Sequence, residues 1–107
     1  MNKLKVIFHV SETERLKNAY ANINNMLKVE NDYAISLLLN GQAASLVTDS
    51  PELVELAEKN IDLIVCQNSL NAHAIEHDAI LFGIRVTPVG VIELISKQNA
   101  GYAYIKP

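Results

Sequence analysis

The sequence predicts an α/β fold, a parallel sheet with helices packed on both faces. Strand-like and helix-like stretches alternate along the whole chain, the order left by parallel strands joined through crossover helices. The run Val6-Ile7-Phe8 is apolar without alternation, as in a strand covered on both sides. A length of 107 residues suits one compact domain, and no repeat, low-complexity tract or linker divides it, so a single domain over residues 1–107 is expected.

The elements follow in order. Residues 4–9 read as the first strand. Ser11-Glu12-Thr13-Glu14 then fits a capping box, in which the Ser11 hydroxyl accepts from a free amide and Glu14 reaches back to another. Leu16, Ala19, Tyr20, Ile23, Met26 and Leu27 fall on one helical stripe, with Lys17 and several asparagines opposite. Tyr33 to Leu39 reads as the second strand, closed by the Asn40-Gly41 turn, and residues 42–48 as a short helical turn. A helix from Pro51 to about Lys59 is capped by Ser50 or Asp49, carries proline at its first position and ends at Asn60. Ile61 to Cys66 is the third strand, and Ser69 to about Ile75 a short helix. Gly83 to Thr87 is the fourth strand, closed by Pro88-Val89-Gly90. A helix from Val91 to Asn99 is stopped by Gly101, and Tyr102 to Ile105 forms a last short strand.

Composition narrows the function. The formal net charge is -3, and the nine Lys and Arg are scattered, so no basic patch for nucleic acid is expected. The longest apolar run, Ala34 to Leu39, is far below the roughly 20 residues that a membrane helix needs. The opening segment has a short apolar run that stops at His9, without the core or cleavage site of a signal peptide. One cysteine forms no intrachain disulfide, and the simplest expectation is a cytoplasmic protein with a reduced thiol.

In such sheets ligands bind beyond the carboxyl ends of the strands. That rim gathers His9 and Ser11, then Asn40 and Gly41, then Cys66, Gln67 and Asn68, then Thr87, Pro88 and Gly90. Two readings of Cys66 stay open. One is a small buried packing residue at a strand end. The other is a thiol presented ahead of a helix start, where free amides favour the thiolate and make it a nucleophile. His9 is either a proton donor and acceptor at the same rim or a strand-end histidine bonded to backbone. His73 and His77 share the four-residue spacing of some metal pairs, but no third ligand lies near them in sequence and no metal is expected. Dinucleotide, P-loop, CxxC and GxSxG motifs are absent. Tyr102 and Tyr104 face one side of the last strand, as core edge or subunit contact.

Across essentially its whole length the chain resembles the small single-domain branch of the DsrE/DsrF-like family. The residues that carry the resemblance are "KVIFHVSE" at 5–12, "LLLNG" at 37–41, "VCQNSL" at 65–70 and, above all, "VTPVGVIELISKQNAGYAYIKP" at 86–107. The resemblance implies a three-layer α/β/α fold with a five-stranded, mainly parallel sheet. It also implies a homo-oligomer, with trimers or hexamers favoured. In relatives a cysteine after the third strand accepts sulfur as a persulfide and passes it on, and Cys66 occupies the matching position. On this reading Cys66 and His9 carry the chemistry. Asn40, Gly41, Gln67, Asn68, His73, Pro88 and Gly90 shape the pocket, no cofactor is required, and the partners are sulfur donor and acceptor proteins. Many relatives have a basic residue where this chain has Asn71. A non-catalytic ligand-binding or assembly module of the same fold is the alternative.

Overall fold

A computed structural model of the chain describes residues 3–107, so the first two residues of the expected domain lie outside the described residues. The strands are β1 (Leu4–Val10), β2 (Tyr33–Leu39), β3 (Asp62–Cys66), β4 (Ile84–Thr87) and β5 (Ala103–Ile105). The α-helices are α1 (Leu16–Leu27), α2 (Pro51–Glu58), α3 (Gln67–Ala72) and α4 (Gly90–Asn99). The sheet runs in the order β4-β3-β2-β1-β5, and every neighbouring pair is parallel.

Side-chain alternation divides the sheet into two unequal faces. Val6, Phe8, Leu37, Leu39, Leu63 and Val65 point to the larger core, where α1 brings Leu16, Ala19 and Ile23, α2 brings Leu53 and Leu56, and α3 brings Leu70. Ile7, Leu38 and Ile64 point the other way, against Leu94 of α4 and Tyr102. Burying each such aliphatic side chain stabilises the fold by about 1.5–3 kcal/mol before entropy is counted. Tyr102 also lies under the ammonium groups of Lys97 and Lys5, at 4.6 and 5.8 Å from its ring centre.

Most boundaries fall within a residue or two of expectation. Ser50 caps α2, its hydroxyl accepting from the Leu53 amide at 3.2 Å, and Asn60 takes the left-handed conformation that ends the segment. The capping box at Ser11 does not form. A 3-10 turn over Thr13–Arg15 intervenes before α1, and no side chain caps either segment. The Ser11 hydroxyl instead donates to Asn40 Oδ1 at 2.8 Å across the strand ends. Leu27, expected on the buried stripe, is 38% exposed at the frayed end of α1. Helix α3 starts at Gln67, two residues earlier than expected, and stops at Ala72, because Ala74 turns to positive φ. Gly83 belongs to the turn before β4. Its φ is +93°, and a Cβ there would stand 2.9 Å from the Ala57 Cβ, so only glycine lets this loop lie on α2.

The smaller face is edged by charge. Arg85 on β4 pairs with Asp62 on β3 and with Glu93 on α4, each at 2.8 Å, while Lys97 and the Ser36 hydroxyl also reach Asp62, at 3.2 and 2.9 Å. Burial pushes the Asp62 carboxyl up, but the bonds from Arg85 and Ser36 outweigh it and hold the group below the ordinary carboxylate range. Arg85 does the same for Glu93 against a smaller burial effect. Because both folded values are depressed, the stability they contribute is complete above about pH 4.5 and is lost as pH falls through the folded values. Replacing Arg85 with glutamine is expected to flatten this acid limb; urea unfolding of both proteins between pH 3 and pH 7 measures it.

Candidate functional site

The connections part to opposite faces at a defined point. Helix α3 leaves β3 toward the larger core, through Leu70, whereas α4 leaves β4 toward the smaller one, through Leu94. Adjacent parallel strands whose connections part to opposite faces open a crevice at their carboxyl ends. Here Cys66 pairs with Thr87 as the last residues of β3 and β4, so Cys66 stands where those connections part.

Alternation turns the Cys66 side chain toward the α4 face, as it does that of Ile64. Cys66 is also the residue before the first turn of α3, the position where a side chain meets the second and third helical amides. Those are the amides of Asn68 and Ser69. From the other side, α4 begins at Gly90, and a Cβ on that glycine would stand only 3.7 Å from Sγ. Burial pushes the Cys66 thiol up; the amides of Ser69, Gly90 and Asn68, with the Ser69 hydroxyl, more than reverse it, and the thiol ionises below its ordinary range. The resting side chain makes no cap hydrogen bond, so the amides act through their dipoles on a soft, large atom.

The sulfur lies beneath the rim rather than on it. Cys66 is 6% exposed, which corrects the expectation of an openly presented thiol. Backbone donors of Ser69, Gly90 and Asn68 nevertheless border it.

Two further clusters continue along the rim. The Ser69 hydroxyl accepts from the Gly41 amide at 2.8 Å, leaving its own proton free for the sulfur, and His73 Nε2 lies 3.0 Å from the Gly41 carbonyl, to which it donates. Farther on, His9 Nε2 meets Asn40 Oδ1 at 2.9 Å and Nδ1 meets the Tyr104 hydroxyl at 2.7 Å. Since the Asn40 oxygen only accepts, Nε2 carries the proton and Nδ1 accepts from Tyr104. Burial pushes the His9 imidazole down and Lys106 adds to this, against the Asn40 bond, so His9 is held neutral below its ordinary range.

Cys66, Asn68, Gly90, Gly41, Asn40 and His73 are thus joined through Ser69 and the strand ends. His9 is attached only at the far end. It sits on β1, two strand spacings or roughly 9–10 Å from β3, and no hydrogen bond joins it to Cys66. Gln67 turns away, donating to Asn71 Oδ1 at 2.8 Å and accepting from His77 Nε2 at 2.6 Å in a separate polar groove. His73 and His77 therefore address different partners, and among the described residues no three His, Cys, Asp or Glu side chains gather at one point. Pro88 is exposed and serves to turn the chain from β4 into α4. Ser69 was not among the residues singled out from sequence; its place three residues after a strand-end cysteine was the available signal, obscured by starting the helix two residues late.

Comparison with known proteins bears on this site. The model described as "DsrE/DsrF-like family" matches residues 4–107. A structure of MTH1491 from Methanobacterium thermoautotrophicum, a protein of unknown function, superposes with a TM-score of 0.90 at 25% identity, covering 97% of this chain and 99% of that one. The ychN protein from E. coli superposes with a TM-score of 0.78 at 15% identity over 100% of both chains, a likeness of fold. No curated protein matches the chain.

The lowered thiol is directly measurable. Alkylation of Cys66 by a small uncharged reagent is expected to rise with pH with a midpoint below the value of about 8.5 of an ordinary thiol. Ser69→Ala should move the midpoint upward, since it removes one donor and leaves the backbone amides in place. A wild-type midpoint at or above that of a free thiol would contradict the assignment.

Proposed function

The chain belongs to the DsrE/DsrF-like family, and from that premise, with the strand-end sulfur of Cys66, we propose that it carries sulfur as a persulfide and passes it to an acceptor thiol. The observation that supports the reading is the place of one nucleophilic atom just ahead of α3, with the first residue of α4 packed against it from the neighbouring strand.

The step balances without a cofactor. The Cys66 thiolate attacks the outer sulfur of a donor persulfide. The new bond joins Sγ to that sulfur while the donor's S–S bond breaks, and the donor leaves as a thiolate that takes up a proton from water. In the second half an acceptor thiolate attacks the same outer sulfur and Cys66 leaves as the thiolate, with no net oxidation. The amides of Asn68, Ser69 and Gly90 stabilise the sulfur anion at the start and at the end, when it is again a leaving group. A thiol working this way belongs in a reducing compartment such as the cytoplasm. Among the described residues no helix is long and apolar enough to cross a membrane.

A specific observation favours assembly as well. Helix α4 alone covers the smaller core, and its outward side leaves Val91, Ile92 and Ile95 exposed at 61%, 60% and 52%. Contiguous exposed apolar side chains of this kind mark association surfaces. We assign this stripe to contact between copies of the chain. It begins one residue after Gly90, so a neighbour seated there would border the sulfur. In the non-catalytic alternative this assembly is the whole function, and the thiol is inert.

Incubation with an inorganic polysulfide or a low-molecular-weight persulfide, followed by intact-mass measurement, is expected to show a gain of one sulfur that is released by a small thiol. Cys66→Ser should abolish the gain. Failure with both donors while Cys66 reacts only after unfolding would leave the alternative. Light scattering is expected to find an oligomer that Ile92→Asp with Ile95→Glu dissociates; a wild-type monomer at the same concentration would refute the assigned contact.

A further inference from the structure

A second exposed surface lies at the opposite end of the sheet. The loop before β4 and the last turn of α2 both sit at the amino ends of the parallel strands, away from Cys66. Between them runs a groove of about 390 Å³ lined by Val54, Ala57, Glu58, Leu81, Phe82 and Gly83. Phe82 at its edge is 99% exposed, the most exposed large apolar side chain among the described residues. The loop that carries it is tied down. Leu81 packs on the main core and its amide donates to the Val47 carbonyl at 2.8 Å, while Gly83 lies directly on Ala57. A bulky ring held fully in water on an anchored loop, beside an apolar trough, is a preformed contact rather than a stray surface residue.

We propose that this groove docks a linear peptide segment of a partner protein, one that sets a bulky apolar side chain beside a lysine or arginine. Size and charge choose this occupant. The trough admits one or two side chains, whereas a stable dimer of folded copies needs roughly 800 Å² from each partner. Glu58 lines the groove and pairs with no cation among the described residues, because Lys59 next to it is committed to Glu55 at 3.0 Å and to Asn24 at 2.6 Å. An apolar anchor with a flanking cation satisfies both the trough and the carboxylate. The groove lies at the opposite end of the strands from Cys66, so such a segment tethers a partner without covering the sulfur.

The test pans a random-peptide display library against the full chain and titrates the selected peptides by calorimetry. Selected sequences are expected to converge on an aromatic or aliphatic residue next to Lys or Arg. Phe82→Ser should weaken them about tenfold or more. Glu58→Lys should weaken them severalfold and remove their salt dependence. Both sites are exposed, and hydrogen exchange of the variants verifies an intact fold. Binding unchanged in both variants, or no convergence on that pattern, overturns the proposal. So does sedimentation showing that Phe82→Ser dissociates an oligomer of the chain itself, which would make a second copy the occupant.

Discussion

The parallel pairing of β3 with β4, with Cys66 opposite Thr87, constrains everything at the site. It ends two strands at one level and sends their connections to opposite faces. One sulfur is thereby approached by the start of α3 from its own chain direction and by the start of α4 from the neighbouring strand. A strand-end cysteine followed by one helix feels a single dipole. Here Gly90 contributes a donor that local sequence around Cys66 does not contain, because α4 begins against the sulfur from the neighbouring strand.

The two faces of the sheet divide the work. The larger core, closed by α1, α2 and α3, fixes the register of the strands through side chains that are almost wholly withdrawn from water. The smaller core rests on three sheet residues, Leu94 and Tyr102, with the Arg85, Asp62, Glu93 and Lys97 charges along its margin. Half-exposed ion pairs contribute little stability singly. Their linked geometry instead pins α4 across the sheet, from Arg85 on β4 to Glu93 on the helix, and so aims its first amide at Cys66. The same thin layer leaves the outward side of α4 apolar and unburied, which ties the position of the sulfur to whatever covers that helix.

Much of the fold was legible because it rests on period and punctuation. Val6-Ile7-Phe8, the Leu16 to Met26 stripe, Ser50-Pro51 and Gly101 each state their role within a few residues. What was not legible depends on distance in sequence. Ser11 reads as a helix cap until Asn40, 29 residues on, offers a better partner across the strand ends. His9 reads as a neighbour of Cys66 until strand order inserts β2 between them. The rim was correctly drawn as a list of strand ends, but order along the rim comes from the sheet. That order links Gly41, Ser69 and Cys66 while turning Gln67 away.

Burial and reactivity at Cys66 are compatible for a physical reason. Removing a thiolate from water is unfavourable when carbon replaces the water, and much less so when oriented amides do. The donors around Cys66 are backbone groups fixed by two helices and a strand pair, so they need not reorganise when charge appears on sulfur. A covered position also limits the size of the reagents that reach it, favouring small species over bulky oxidants or alkylators. The sulfur is thus placed where its charge is stabilised and its access narrow, which is what the proposed carrier role would require of it.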